Sequence, residues 1–144
     1  MATAPDTDVV AALTGAIGLT AGTNLFSGPV RAYTILEAGT VVVPHKAVFC
    51  LATGGPPPMS FVNGGSGTDY NWSVVQIRIR SDIGSTSDFA DGQTLARAVR
   101  DRLHKAVVTG YIEIRVRESE PNYLAQDDDG HHEWSINLEM EHRR

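Results

Sequence analysis

Residues 127–133 read Asp-Asp-Asp-Gly-His-His-Glu, which sets three aspartates, two histidines and a glutamate in seven positions. Carboxylates and imidazoles are the side chains that hold divalent metals and pass protons near neutral pH. A calcium loop is the first chemistry to test. Aligned on Gly130, its pattern puts Asp127 and Asp129 in the third and fifth places, but Ala125 and Ile136 in the first and last. Both anchoring carboxylates are missing, so the loop does not fit. Zinc fares no better. His132-Glu133 begins an H-E-x-x-H pattern whose second histidine place is Ile136. The stretch after Gly130 alternates as a strand does, so His131 and His132 point to opposite faces, which spoils joint ligation. An unusual metal site drawing His45 or His104 from elsewhere in the chain stays open as an alternative. The segment reads instead as a solvated turn, Asp127-Asp128-Asp129-Gly130, feeding a strand, with no metal, cofactor or catalytic residue expected. A small metal-dependent hydrolase built on His131, His132 and the neighbouring acids is the rival from another class.

Other routes to catalysis are poorly supplied. No G-x-S-x-G nucleophile turn occurs. Cys50, the single cysteine, lies in the apolar run AVFCLA without an evident base and reads as a small core residue. GGSGTDY, residues 64–70, lacks the Lys-Ser/Thr of a phosphate loop, and no helix follows it. Arg78, Arg80, Arg115 and Arg117 recur at alternate positions of two strands and would form one basic patch if those strands were neighbours. Without interleaved aromatics that patch does not read as a nucleic-acid groove, and the net charge of −5 argues against general nucleic-acid binding. The opening MATAPDTD lacks the basic and apolar regions of a signal peptide. No apolar run approaches the ~20 residues that span a bilayer. Asn71-Trp72-Ser73 matches a glycosylation sequon that, without secretion, reads as chance.

The elements that must position these residues follow from periodicity. A chain of 144 residues suits one domain, 1–144, with enough core to fold without a disulfide or a metal. Residues 6–17 predict a helix: Val9, Val10, Leu13 and Ile17 share a stripe, Asp6 or Thr7 caps its start, and Gly18 stops it. A strand is expected near 23–28, then an irregular excursion to Pro44, then an apolar strand over 46–53. Residues 54–71, GGPPPMSFVNGGSGTDYN, form a long loop of a kind that is usually functional, with Met59, Phe61 and Tyr70 as contact points.

Residues 73–82 form a strand with Val75, Ile77 and Ile79 inward and Gln76, Arg78 and Arg80 toward water. A second helix lies within 88–108, with Leu95, Val99, Leu103 and Val107 inward, Arg97 paired with Asp101, and Gly110 ending it. Residues 111–118 form another half-wet strand, with Ile112, Ile114 and Val116 inside and Glu113, Arg115 and Arg117 outside. A loop over 119–130 leads to the last strand, 131–142, where Trp134, Ile136, Leu138 and Met140 face in and Ser135, Asn137, Glu139 and Glu141 face out. Arg on two strands and Glu on the third would support pairing. The sum is a single α/β (α+β) domain, a mostly antiparallel sheet flanked by two helices.

In order along the chain, GTNLFSGP, VPHKAVFCLATGGPPP, WSVVQIRIRS, GQTLARAVRDRLHKA and PNYLAQDDDGHHEWSINLEMEH resemble the tail terminator, or tail-completion, proteins of long-tailed bacteriophages. The likeness runs over about residues 6–142, and its most specific parts are ATGGPPP at 52–58, VQIRIR, and DDDGHHEWSIN at 127–137. The excursion VRAYTILEAGTVVV is longer than that family's pattern. The resemblance implies a homo-hexameric ring that caps the tail tube, ends tube polymerisation and joins the tail to head-completion or neck proteins. It implies DNA passing through the lumen without sequence-specific binding, no catalysis, no membrane, and a place at the head–tail interface after synthesis in the host cytoplasm. A neck or head-completion protein is the alternative within the class. On this reading Met59, Phe61 and Tyr70 contact a neighbouring subunit or the tube. Arg78, Arg80, Arg115 and Arg117 form a second contact surface. Asp127, Asp128 and Asp129 are loop-tip residues facing a neighbour or a tail partner.

Overall fold

The computed structural model describes residues 4–29, 33–36, 39–56 and 70–143. Along the chain run α1 (Pro5–Leu13), β1 (Leu25–Ser27), β2 (Tyr33–Leu36), β3 (Gly39–Val42), β4 (Ala47–Gly54), β5 (Tyr70–Arg80), α2 (Asp88–Leu103), β6 (Glu113–Val116), β7 (Asn122–Gln126) and β8 (His132–Arg143). Six strands form one sheet in the order β1-β4-β5-β8-β6, with β7 also on β8, while β2 and β3 pair separately. Among the described residues, the β1–β4 pairing is the one parallel pairing between strands of the main sheet. β5 lies along 133–143 of β8; β6 pairs with 138–141 and β7 with 132–135, so β6 and β7 share the far edge of β8 end to end.

Alternation along the strands decides what each face carries. Val48, Cys50, Val75, Ile77, Ile79, Ile114, Val116, Trp134, Ile136, Leu138 and Met140 are buried on one face, together with Val9 and Leu13 of α1 and Leu95, Ala96, Val99 and Leu103 of α2. Both helices therefore cover the same side, and the expected α+β architecture is what forms. Burial pushes the Cys50 thiol up to about 12, so it stays protonated and unreactive in the core. A smaller cluster of Phe26, Val43, Ala47 and Phe49 sits on the opposite face, with the Phe26 and Phe49 rings stacked at 5.7 Å.

Both helices end sooner than their stripes predict. Pro5 opens α1 at a position where a missing N–H costs nothing, and Ala4 is its N-cap, without a side-chain cap from Asp6 or Thr7. After Leu13 the chain turns, and Gly15 and Ile17 both adopt positive φ (79° and 49°), so Ile17 leaves the stripe and is 40% exposed. α2 stops at Leu103, not at Gly110. Lys105 takes φ 59°, and its N–H turns to the carbonyl of Ile114, a bond that satisfies the outer edge of β6. Val107 is consequently fully exposed and Ile112 more than half exposed, both against expectation. The expected Arg97–Asp101 pair is replaced by Arg97–Glu120 and Arg100–Asp101. The 119–130 loop contains β7, whose five residues are all exposed and so carry no periodic signal. β5 begins at Tyr70, inside the stretch expected to be loop.

Candidate functional site

Among the described residues, three surfaces gather polar and aromatic groups, and the first is a corner. The turn before β8, the end of β5 and the residues leading into β4 meet there. Asp127 Oδ1 accepts the N–H of Asp129 at 3.0 Å and of His131 at 2.9 Å, and Gly130, at φ 98°, lets its own N–H reach the Asp127 carbonyl. His131 is 4% exposed, so the expectation of a solvated turn fails at this residue. Its Nδ1 lies 2.8 Å from Asp127 Oδ2 and its Nε2 2.9 Å from Nδ1 of His45. Burial opposes the Asp127 charge, but the amide and ring of His131 and the amide of Asp129 outweigh it and hold the carboxyl below the usual range. As expected, His132 points to the other face, where its Nδ1 meets the Tyr123 hydroxyl at 2.9 Å.

Arg80 completes the corner. The alternation places it toward water, yet it is 5% exposed. Its Nε donates to the His45 carbonyl and its Nη2 to the Pro44 carbonyl, each at 2.8 Å, and its guanidinium lies 5.4 Å from the Phe49 ring centre. Burial lowers its pKa, while Asp127, Glu133 and Asp129 pull the other way. Arg80 is thus a pin between β5 and the start of β4.

The second surface is the face of the sheet away from the helices. The four expected arginines do not form one patch, because β8 runs between β5 and β6. Arg115 and Arg117 both bind Glu139, at 2.9 and 2.6 Å, and these two bonds hold Glu139 below the usual carboxylate range. Arg78 reaches Glu133 at 3.4 Å. The ladder is a mosaic of both signs, as the Arg/Glu rows led one to expect. Tyr70 opens β5 opposite Arg143. Asp128 and Asp129 are exposed at the turn, while Asp127 is half-buried and bonded internally. Met59 and Phe61 lie outside the described residues.

The third surface escaped sequence reasoning. Tyr123 of β7, Phe89 of α2, His132 and Trp134 form one aromatic cluster, with Phe89 5.3 Å from both Tyr123 and His132. Phe89, Tyr123 and Leu124 are each over 40% exposed. Leu124 sits at a bulge, where the β7–β8 register shifts between Tyr123 and Ala125. The only advance signal was aromatic residues in segments with no inward periodicity to account for them. Glu118 was missed too; its carboxylate accepts the amide and side-chain nitrogens of Asn137 at 2.9 and 2.6 Å.

A family model described as bacteriophage tail terminator protein matches residues 44–143. The chain belongs to that family. No curated protein matches the chain. The matched stretch contains β4 through β8 and α2, hence the corner, the charged ladder and the aromatic edge of this tail terminator alike. Membership makes it a structural protein of the phage tail, a component of the virion that works against other virion proteins. Among the described residues no helix is long and apolar enough to cross a membrane.

Proposed function

We propose that this protein closes the phage tail tube as a homo-hexameric ring, ends tube polymerisation and joins the tail to head-completion or neck proteins. The family match over residues 44–143 carries the reading. The surfaces fit it. A cyclic ring joins one surface of each subunit to a different surface of the next. The mixed-sign ladder of Arg115, Arg117 and Glu139 and the aromatic edge at Tyr123 and Phe89 are two such non-identical surfaces. Met59, Phe61, Tyr70, Arg78 and the exposed Asp128 and Asp129 are assigned to contacts with neighbouring subunits, the tube or the neck, with Arg80 and Asp127 supporting that surface from beneath. A net charge of −5 suits a lumen through which DNA passes without being held. No catalytic step is part of this role.

The decisive genetic test is a phage in which this gene alone is interrupted. Tail tubes of irregular excess length, unattached to heads and corrected by a plasmid copy, are expected. Tails of normal length joined to full heads would contradict the proposal. On purified protein, native mass spectrometry is expected to give a ring several times the 15.5 kDa subunit.

A further inference from the structure

The turn that starts β8 gathers more ligand chemistry than a turn requires. Asp127, Asp129 and His131 each offer one ligand atom, and these atoms lie within 4.8 Å of one another. The His131 ring is buried and fixed from both ends, by Asp127 at Nδ1 and by His45 at Nε2. A metal-binding histidine turns one ring nitrogen to the ion and bonds the other to a fixed neighbour; here His45 holds Nε2, and Nδ1 meets Asp127, itself a ligand candidate, so an ion would take the place of that hydrogen bond. His45 comes from a different part of the chain, and Arg80 anchors its backbone independently.

We propose that Asp127, Asp129 and Nδ1 of His131 form a binding site for a divalent transition-metal ion, with His45 as the positioning residue behind it. Two carboxylates and one imidazole suit Zn2+ or Mn2+, and Asp129 is exposed, so water can complete the coordination. The protons balance by a change of tautomer. In the metal-free form Nδ1–H of His131 donates to Asp127. With an ion at Nδ1 the ring carries its proton on Nε2 and donates it to Nδ1 of His45, which in turn holds its own proton on Nε2. Each imidazole keeps one proton throughout. Arg80 is the cation that Asp127 and Asp129 both act on, two carboxylates against one guanidinium, while Glu133 is paired with Arg78. His132 takes no part, since it faces the helix side with Tyr123.

The test uses the full-length chain, stripped with a chelator and titrated with Zn2+ by calorimetry, with Mg2+ in parallel. One saturable Zn2+ site per chain and a raised melting temperature are expected, with far weaker Mg2+ binding. Asp129→Asn changes an exposed side chain; it is expected to keep the metal-free melting temperature and to bind Zn2+ at least about tenfold more weakly. His45→Gln is expected to weaken binding by about 10–100-fold, the usual effect of losing a ligand's supporting partner. Absence of saturable Zn2+ binding, or wild-type affinity in Asp129→Asn, overturns the site. Full affinity in His45→Gln overturns the positioning role. Equal affinity for Mg2+ overturns the part given to the imidazole. Because the readout is on isolated protein, a negative result leaves the tail-capping role standing, and normal tails in the interrupted phage leave the metal site standing.

Discussion

Gly92 lies where α2 crosses β8, and a β-carbon there would come within 2.5 Å of Trp134 Cζ3, 2.8 Å of Cη2 and 2.9 Å of Ser81 Cβ. Alanine adds up to ~1 kcal/mol of helix preference at such a site. Forcing apart a buried indole and a strand costs about 1–3 kcal/mol. Gly92→Ala is therefore expected to lower the urea midpoint, and an unchanged or raised midpoint would show that the helix can shift away. The depressed carboxylates make an acid prediction. Asp127 and Glu139 are both held below their ordinary values in the folded chain. Their stabilisation is present above the unfolded carboxylate value of ~4 and is lost as pH falls through the folded values. Unfolding curves taken downward from pH 5 are expected to show that loss, with a shallower slope in Asp127→Asn.

Among the elements, the strands and helices with a dry face were legible in the sequence, because burial on one side writes its period into the chain. Val75, Ile77 and Ile79 in β5 and Trp134, Ile136, Leu138 and Met140 in β8 are buried as their alternation requires. β7 was not legible, since an edge strand with no buried residue writes no period. Arg80 misled for a related reason. Its position in the alternation was read correctly, but the Pro44 and His45 carbonyls and the Phe49 ring come from elsewhere in the chain and bury the guanidinium. The His45–His131 contact joins residues 86 apart and was equally out of reach of local pattern. Arg80→Ala leaves the Pro44 and His45 carbonyls without this donor and is expected to cost about 2–4 kcal/mol, whereas Arg115→Ala, on the open ladder where Arg117 still holds Glu139, is expected to cost less than about 1 kcal/mol. Equal midpoints for the two variants would refute the pin. Hydrogen exchange should rank the strands as well, with amides in β5 and the middle of β8 protected to the global limit and those of β7, bonded on one side only, exchanging first. Protection in β7 equal to that in β5 would contradict this order.

For the whole molecule, the ordered set of motifs reached the family while the residues alone reached only the architecture. A two-layer α+β domain hosts many functions. What distinguishes this one is the family match across β4 to β8 together with surfaces of two different kinds, a mixed-charge ladder and an aromatic edge. The 127–133 cluster, met first as a possible active site, is a structural corner with ligand chemistry at its tip. Membership of the tail terminator family fixes a place in the tail, and the central claim is narrower: that the protein ends the tube at its head-proximal end. Electron microscopy of purified phage carrying an epitope-tagged copy, labelled with gold-conjugated antibody after heads are detached, tests it directly. Gold at the head-proximal end of the tail tube is the predicted result, and gold at the distal tip, along the tube or on the capsid would contradict it.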